Sequence, residues 1–504
     1  MERGFTVDTS IKTEKESYYI GVDLGTTHIK AAVFDPDGSL LELRKTSTPI
    51  ETDGYGQIYD PFIFYGIVID QLSLLLNRYP NTKGISITGM SEAGLIINRT
   101  TGKEETPILP WFDRRTVSLA DRVKEEREAD NFYKTGLHNS FKYGIYKYLW
   151  LLNSKNIRTE DTIWLSVCDY IGWKLTGVFA SDPSFAARTY VYDIGNREWD
   201  TKRLGEYNLT ENNFPKVYPS GKRIGSLSDP VLNSKLHKGS VMVCIGGHDH
   251  ACAAYAVLNE DKNRICNSVG TAETYLGMDE HFSMSEARYH SGMVYGPFLN
   301  GKDYFWMANI SSSGQSMEWF YKKVLNTEAD YQRMNAAITS MPKEPTGILY
   351  YPYLSGIGTP FYRSDVGGGF FGLRETHGTK EILKAILEGV NYQGKWILSL
   401  VPDIEPARLK DVICVGGAAN SAPWMQIKAN ILGIPVTVPK VSEATLLGAV
   451  AVMLEKNYGM EEKQKFLSGS HKCIQTYEVE HAISKKYKDI YANKYTFLID
   501  RILK

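Results

Sequence analysis

The sequence predicts an α/β protein built from two similar domains. Strand-like and helix-like patterns alternate along all 504 residues, which is typical of α/β folds. The chain is also too long for a single hydrophobic core, because cores stop growing beyond about 250–300 residues. In each half a strand turns through Gly-Thr, and a later strand runs through Gly-Gly into a helix start. We therefore expect two facing domains, over residues 17–258 and 259–504, separated at the polar stretch LNEDKN.

Composition and charge describe an ordinary globular protein. The chain is 43% apolar and 23% charged, with a formal net charge of -1 and no basic block. We therefore expect it to bind neither nucleic acid nor an anionic membrane surface. No apolar run is long enough to span a bilayer, and the charged first residues contain no apolar signal core. The six cysteines form no CxxC pair and several lie in apolar runs, which predicts reduced core residues of a cytoplasmic protein.

A hairpin near the start of the chain carries groups that suit phosphate. The stretch YYIGVDLGTTHIKAAVFDPDGSLL has β-rich runs on both sides of a tight turn through Gly25, Thr26 and Thr27. Such a turn presents backbone N–H groups and two hydroxyls, which together can hold phosphate oxygens. Lys30 returns a positive charge toward the turn, and Asp23 places an acid in the strand before it. A hairpin with incidental threonines explains this turn alone equally well.

A second Gly-Thr turn lies in the other half of the chain. The stretch SVGTAE contains Gly270 and Thr271 directly after an apolar, β-rich run. Two opposed turns that contact phosphate suit a nucleotide held in a cleft between domains. The second turn therefore favours the functional interpretation of the first.

The stretch GGHDHACAAYA places Asp249 in the first turn of a helix that follows an apolar strand. An Asp at this point is commonly an N-cap and nothing more. Ligands of open α/β sheets, however, bind at the carboxyl ends of strands, which is where this carboxylate lies. His248 and His250 flank it at alternate positions around one turn, and we interpret neither as a metal ligand.

The stretch VGGAANSAPWMQIKANILGIPV repeats the strand, Gly-Gly and helix arrangement without a carboxylate. Its small residues Gly416, Gly417 and Ala418, followed by Asn420, let a flat ring or a ribose approach the backbone closely. Close packing of a helix against a sheet is a competing explanation for the glycines. Glu443 precedes the next helical pattern and fits its N-terminal turn.

Two common nucleotide-binding motifs do not account for the sequence. The chain contains no GxxxxGK[ST], which excludes a P-loop enzyme. One GxGxxG match occurs at residues 367–372, but no clear strand precedes it and the helical pattern begins several residues later. This context argues against a dinucleotide site.

Taken together, the motifs resemble those of the FGGY family of carbohydrate kinases. GVDLGTTHIK is similar to the family's first phosphate-contacting turn, and GGHD is similar to its catalytic segment. GGFFGLRETHGTKEILKAILEGV matches the C-terminal signature in both residues and spacing, while KYLWLLN matches only the second half of the N-terminal signature. Gly144 departs from that signature, in which Pro, Ser or Thr is usual. The resemblance covers residues 18–454.

The resemblance implies two actin-like ATPase domains of the ribonuclease H-like type, with ATP and a sugar meeting in the catalytic cleft between them. It implies that Asp249 is the general base and lies near Mg²⁺, and that Asp23 contacts Mg²⁺ through water. A homodimer is compatible with the family. The residues expected to bind the nucleotide are Gly25, Thr26, Thr27, Lys30, Gly270, Thr271, Gly416, Gly417, Ala418 and Asn420.

The same resemblance indicates where the sugar binds. GMSEAG places Ser91 and Glu92 where xylulokinase-like members have a Met-His pair and glycerol kinase-like members have an Arg-Glu pair, and it matches neither. In the stretch PWFDRR, Trp111 is expected to cover an apolar face of the sugar and Asp113 to accept hydrogen bonds from its hydroxyls. The stretch GGFFGLRETH is closer to gluconate kinase-like members.

The charge of Glu92 bears on the choice of substrate. A carboxylate beside the sugar would repel an acidic substrate unless Arg114 or Arg115 offset it. We therefore expect a neutral ketose such as xylulose, or a related polyol, with gluconate or another sugar acid as the alternative. A non-catalytic or chaperone-like ATPase of the same fold is an alternative of another class. Acceptor-side residues such as Trp111 and Asp113 would have no purpose in such a protein.

Overall fold

The computed structural model describes residues 17–123, 125–235, 240–281, 283–402, 404–405, 408–469 and 473–502. The charged first residues, in which the sequence shows no signal core, lie outside these ranges. No helix in the described ranges is long and apolar enough to cross a membrane. The side chain of Cys473 is not described. The remaining five cysteines are buried and free, as predicted: Cys168, Cys244, Cys252, Cys266 and Cys414.

The first half of the chain builds one large sheet with helices on both faces. Its elements are β1 (Tyr18–Leu24), β2 (His28–Phe34), β3 (Leu40–Ser47), β4 (Glu51–Thr52), β5 (Gln57–Ile58), α1 (Pro61–Arg78), β6 (Thr82–Gly89), β7 (Gly94–Asn98), α2 (Val117–Ala120), α3 (Glu125–Thr135), α4 (Gly144–Lys155), β8 (Thr162–Ser166), α5 (Val167–Thr176), β9 (Ala180–Ser181), α6 (Pro183–Ala187), β10 (Tyr192–Asp193), β11 (Glu198–Trp199), α7 (Thr201–Glu206), β12 (Lys216–Val217), β13 (Arg223–Ser226), α8 (Pro230–Asn233), β14 (Met242–His248) and α9 (Asp249–Leu258).

The second half builds a second large sheet. Its elements are β15 (Arg264–Val269), β16 (Glu273–Asp279), α10 (Glu286–His290), β17 (Val294–Pro297), β18 (Tyr304–Ile310), α11 (Gly314–Trp319), α12 (Tyr331–Thr339), β19 (Leu349–Tyr351), β20 (Gly369–Phe371), α13 (Thr379–Ser399), β21 (Asp411–Val415), α14 (Ala422–Leu432), β22 (Val436–Pro439), α15 (Ala444–Tyr458), α16 (Met460–Leu467), β23 (Cys473–Tyr477), α17 (His481–Ile490) and α18 (Thr496–Ile502).

The two large sheets share the order and directions of five strands, β3-β2-β1-β6-β14 in the first and β18-β16-β15-β21-β22 in the second. The first has the order β13-β14-β6-β1-β2-β3, and the second has the order β17-β18-β16-β15-β21-β22-β23. In the first sheet β1 pairs antiparallel with β2 and parallel with β6, which pairs parallel with β14. In the second, β15 pairs antiparallel with β16 and parallel with β21, which pairs parallel with β22. This shared order explains the internal echo of the sequence and confirms the α/β class. The division between residues 258 and 259 stays a prediction.

One helix from each half, α9 from the first and α15 from the second, lies between the two sheets. Helix α15 packs against β1, β6 and β14 of the first sheet, and α9 packs against β15, β16 and β21 of the second. The two helices also pack against each other. Gly448 allows this close approach, because a Cβ there would collide with the carbonyl group of Cys252. The halves therefore share a core in which each contributes a helix to the other's sheet.

Several local predictions agree with the structure. β1 and β2 form the expected hairpin, and α9 begins at Asp249 directly after β14. In the GxGxxG stretch, β20 pairs with β19 in a small separate sheet, and α13 begins only at Thr379. That arrangement lacks the strand-to-helix turn on which a dinucleotide site depends.

Candidate active site

A cavity of about 260 Å³ opens between the two halves. Its walls include Ala272, Asn309 and Tyr362 from the second half of the chain. The residues predicted from the sequence that also line it are Thr26, Ser91, Glu92, Trp111 and Asp249. The cavity therefore lies where the sequence predicted a cleft between two facing halves.

Asp249 is the first residue of α9 and presents an ionised carboxylate to this cleft. Its Oδ1 accepts a hydrogen bond from the backbone N–H of His250 at 2.6 Å and lies 2.9 Å from Nδ1 of His248. Burial alone would raise the pKa of this carboxyl group, but His250 and His248 outweigh it and lower the pKa to about 2. The group is therefore ready to accept a proton at neutral pH.

Asp23 is a second, more deeply buried carboxyl group on β1. None of the described residues forms a hydrogen bond with its Oδ1. Burial, and after it the charge of Asp249, raises the pKa of Asp23 to about 7. A buried carboxyl group whose charge is disfavoured by burial and by a neighbouring carboxylate, and whose Oδ1 has no partner among the described residues, suits a hard divalent cation. The described residues contain no cluster of three or more His, Cys, Asp or Glu side chains that would hold a metal unaided.

Lys30 connects the first hairpin to the second half of the chain. It lies directly opposite Asp23 in the pairing of β1 and β2. Its Nζ forms an ion pair of 2.8 Å with Oε2 of Glu443, the residue before α15. The sequence predicted that Lys30 faces phosphate and that Glu443 belongs to a helix start. In the structure the two side chains meet across the halves, beside the buried acid.

The first Gly-Thr turn is held in place from both sides. The hydroxyl of Thr48 donates a hydrogen bond to the carbonyl of Gly25 at 2.7 Å. The backbone N–H of Thr48 donates to the carbonyl of Thr27 at 3.0 Å. The indole Nε1 of Trp111 donates to the hydroxyl of Thr26 at 2.8 Å. Trp111 therefore links the acceptor side of the cleft to the turn that was predicted to bind phosphate.

The second Gly-Thr turn is exposed and similarly braced. The carbonyl groups of Gly270 and Thr271 accept hydrogen bonds of 3.0 and 3.1 Å from the backbone N–H groups of Gly314 and Ser313. The Ser313 hydroxyl in turn donates to the buried carboxylate of Glu273 at 3.0 Å. The start of α11 therefore fixes the shape of this turn.

The predicted nucleotide segment of the second half lies beside that turn. Gly416 follows β21 with φ of +97°, and a Cβ there would press on the carbonyl group of Val269. Because β21 is the parallel neighbour of β15, the two strand ends meet at one edge of the sheet. A short 3₁₀ turn follows, in which Asn420 donates to the carbonyl of Gly417 at 3.1 Å. Ala418 completes this turn.

At the acceptor end, Glu92 is neutralised by a residue that the sequence analysis missed. Its Oε1 accepts hydrogen bonds from Nε of Arg188 at 3.0 Å and from Nη2 of the same side chain. Its Oε2 accepts from the Ser91 hydroxyl at 2.7 Å. Burial alone would raise the pKa of Glu92, but Arg188 and then Lys142 hold it far below its usual range. Glu92 is therefore an ionised member of a buried ion pair.

The two arginines that the sequence analysis considered as possible partners of Glu92 contact other groups. Arg115 binds both oxygens of Asp113, at 2.7 and 3.1 Å, and also pairs with Asp53 at 2.8 Å. Arg114 lies over the ring of Phe141 at 5.2 Å. Asp113 is not among the described residues that line the cavity. Its predicted contact with sugar hydroxyls stays a prediction that this geometry does not support, because Arg115 already occupies its carboxylate.

Lys142 is the other acceptor-end residue that the sequence analysis missed. It lines the cavity, and its Nζ lies 5.7 Å from the ring of Tyr143 and 5.9 Å from the ring of Tyr362. Burial, only partly offset by the charge of Glu92, lowers the pKa of Lys142 to about 8. The buried Lys147 donates to the backbone carbonyl of Lys142 and holds this segment in place.

Comparison with known families identifies the chain. Residues 18–256 match the N-terminal domain of the FGGY family of carbohydrate kinases, and residues 266–454 match its C-terminal domain. The chain belongs to this family. It is a carbohydrate kinase, so the family assignment favours an enzyme over a chaperone-like or non-catalytic ATPase of the same fold.

Relatives of this FGGY kinase carry different substrate names. A xylulose kinase from Staphylococcus xylosus is 25% identical over 493 residues, which cover 96% of this chain and 100% of the relative. A gluconokinase from Bacillus subtilis is 24% identical, covering 86% of each chain. The structure of a Plasmodium falciparum glycerol kinase with ADP has a TM-score of 0.86 at 20% identity, covering 97% of this chain and 99% of that one. The likeness confirms the fold of two actin-like ATPase domains and leaves the acceptor sugar open.

Proposed function

We propose that this FGGY kinase transfers the γ-phosphoryl group of ATP to a hydroxyl group of a small sugar or polyol bound in the cleft. The observation that carries the proposal is the ionised carboxylate of Asp249 in a cleft that is also lined by Thr26 of the first Gly-Thr turn and by Ala272, the residue after the second. The presence of ADP in the related Plasmodium falciparum glycerol kinase supports the nucleotide. A cytoplasmic location and a homodimer stay predictions.

In this mechanism Asp249 accepts the proton of the attacking sugar hydroxyl. The hydroxyl oxygen forms a bond to the γ-phosphorus as the bond between that phosphorus and the bridging oxygen breaks, and ADP leaves. Phosphoryl transfer depends mainly on positioning and charge stabilisation, so a general base and a set of N–H donors are sufficient protein chemistry. The turns at Thr26 and Thr27, and at Gly270 and Thr271, would hold the phosphates from opposite halves.

Mg²⁺ fits the acidic pair beside the phosphate turns. Asp23 has a buried carboxylate oxygen without a partner among the described residues, and its ionisation is disfavoured by Asp249. Asp23, through water, and Asp249 would hold the ion, which would neutralise phosphate charge when bound. Lys30 is close enough to influence the charge of Asp23, and its pair with Glu443 keeps it at this end of the cleft.

The structure changes the basis on which the acceptor was predicted. A neutral ketose such as xylulose, or a polyol, was expected because Glu92 would repel an acid. Since Arg188 neutralises Glu92, that objection to a sugar acid such as gluconate no longer holds. The charge of Glu92 alone therefore does not distinguish a neutral acceptor from a sugar acid.

Substitution of the base tests the proposal. Asp249→Asn removes the proton acceptor with little change in shape, so turnover should fall roughly 10²–10⁴-fold while substrates still bind. ADP release with a panel of sugars, sugar acids and polyols measures turnover, and calorimetry measures binding. Asp37→Asn, the same change in the exposed turn between β2 and β3, should leave both unchanged. Normal turnover of Asp249→Asn, or equal ADP release without any acceptor, would contradict the proposal.

A further inference from the structure

One of the two cations that line the cavity has no carboxylate partner. The cations are Lys142 and Arg188, and the carboxylates that line the same cavity are Glu92 and the proposed base Asp249. Glu92 accepts hydrogen bonds from Nε and Nη2 of Arg188. None of the described carboxylates lies within ion-pair distance of Lys142. Since Glu92 and Arg188 neutralise each other, Lys142 is left with only the rings of Tyr143 and Tyr362 beside its charge.

Arg188 also has an N–H donor, Nη1, that does not bind Glu92. Its side chain is only 4% exposed, yet its buried Nη1 has no hydrogen-bond partner among the described residues. Such groups are rare in folded proteins, because desolvating a charged N–H without an acceptor is unfavourable. A polar group of a ligand would satisfy this donor. The surroundings keep the two cations in place: Lys147 binds the backbone of Lys142, and Tyr143 stacks on Arg188 at 5.5 Å.

The two cations and the proposed base lie close enough to contact one small molecule, because Lys142, Arg188 and Asp249 all line the same cavity. The cavity of about 260 Å³ is at the small end of ligand sites, which suits an acceptor of a few carbons. An acceptor with an anionic group at one end can therefore present a hydroxyl to the base at the other.

We propose that the acceptor of this FGGY kinase is a small sugar acid, whose carboxylate is held by Nη1 of Arg188 and Nζ of Lys142. This inference rests on the proposed function and names the substrate class of the same site. Glu92 is then a positioning residue: it binds one side of the guanidinium group and leaves Nη1 for the ligand. Tyr362 from the second half adjoins Lys142, so the bound acid would contact both halves.

Matched acceptors provide the test. Gluconate and sorbitol have the same carbon chain, but gluconate has a carboxylate where sorbitol has a hydroxymethyl group. Xylonate and xylitol form a second pair of the same kind. Calorimetry without nucleotide should show at least one acid binding about 10-fold to 100-fold more tightly than its polyol, the scale of a charged hydrogen bond. Lys142→Met should weaken binding of that acid by a similar factor and leave the polyol within about 2-fold. Lys142→Arg should retain most of the preference.

Arg114→Met is the matched control, because it removes a nearby cation that stacks on Phe141 and should change neither affinity. The inference is overturned if no acid binds more tightly than its polyol, or if Lys142→Met weakens both equally while the variant keeps its thermal stability. ADP release is measured separately. Tight binding of an acid without ADP release supports the anion site and contradicts the proposed function. Phosphorylation of a polyol, with no preference for the matching acid, supports the proposed function and contradicts the anion site.

Discussion

Glu92 and Arg188 meet in a buried ion pair, and each keeps the other's charge stable in the protein interior. Both side chains are almost fully buried, at 9% and 4% exposure. Removing one partner of such a pair leaves an uncompensated charge and typically costs about 3–5 kcal/mol, whereas an exposed pair contributes about 0–1 kcal/mol. The pair therefore sets both the local stability and the charge available to a substrate.

We predict that Glu92→Gln lowers the apparent Tm and shifts the acceptor preference toward sugar acids, with ATP affinity little changed. The freed guanidinium group of Arg188 would gain most from a bound carboxylate, so gluconate should raise the Tm of the variant more than that of the wild type. Thermal unfolding with and without gluconate measures this. Glu105→Gln, in the more exposed pair with Lys103, should shift the Tm only slightly. An equal ligand-induced shift in variant and wild type would contradict the prediction.

Helices α9 and α15 approach so closely that a single residue limits the contact. Gly448 lies in the interior of α15, where glycine is normally about 1 kcal/mol less favourable than alanine. A Cβ there would collide with the backbone of Cys252 on α9, so the helix preference is overridden by packing between the halves.

We predict that Gly448→Ala destabilises the protein in spite of its better helix propensity, and weakens catalysis because the two halves are forced apart. The free energy of unfolding, measured with urea, should fall by at least about 1–3 kcal/mol, the scale of an overpacked core. Gly66→Ala in α1 is the matched control, because nothing lies within 4 Å of the added Cβ. That control should gain about 0.5–1 kcal/mol. A stabilised Gly448→Ala protein would show that the helices are free to separate.

Helix α13 carries a buried acid, Glu388, whose ionisation opposes folding. It accepts hydrogen bonds from Thr346 and Tyr487, and burial raises its pKa to about 7. Its unfolded pKa is about 4.3, so the folded state binds the proton more tightly. The stability contributed by Glu388 is therefore complete below about pH 4.3 and is lost as the pH rises through about 7.

We predict that Glu388→Gln becomes more stable relative to the wild type as the pH rises from about 5 to about 8, since the amide cannot ionise. The Tm difference between the two proteins, measured across this pH range, shows whether the variant gains stability relative to the wild type as the pH rises. Glu381→Gln, at the exposed start of the same helix, provides the control, because the pKa of Glu381 is lowered and the group is ionised throughout. A pH-independent difference for Glu388→Gln would contradict the prediction.

The sequence predicted the elements of the site better than its contacts. The hairpin at Gly25 and the helix start at Asp249 depend on residues adjacent in the chain, so local patterns revealed them. Arg188 and Lys142 are far in sequence from Glu92 and from each other, and nothing in their local pattern indicates a shared partner. The pairing of Asp113 with Arg115 was likewise not predicted, although the two residues are only two positions apart, because the sequence does not show which carboxylate an arginine binds.

At the scale of the whole molecule, the two Gly-Thr turns that we propose hold the phosphates belong to opposite halves of the chain. ATP bound in this way would contact both turns only when the halves approach, and closure would expel water around Asp249. Tyr362 brings the second half to the acceptor end as well. Nucleotide and acceptor should therefore favour the same closed arrangement.

We predict that binding of the two substrates is coupled by about 1–3 kcal/mol in both directions. Calorimetric titration of the acceptor with and without a non-hydrolysable ATP analogue measures this coupling. Asp249→Asn should retain it, since the amide preserves the shape of the site. Identical acceptor affinity with and without the analogue in the wild type would exclude the closure model.

Four residues of the proposed acceptor site lie in one insertion between two strands of the arrangement that the two sheets share. In the first half, residues 90–241 separate β6 from β14 and contain Glu92, Trp111, Lys142 and Arg188. In the second half, residues 416–435 separate the equivalent strands β21 and β22. Both Gly-Thr turns lie outside the insertion. Apart from Trp111, which donates to Thr26, these residues can therefore change without altering the Gly-Thr turns, so new acceptor preferences are accessible to evolution in small steps.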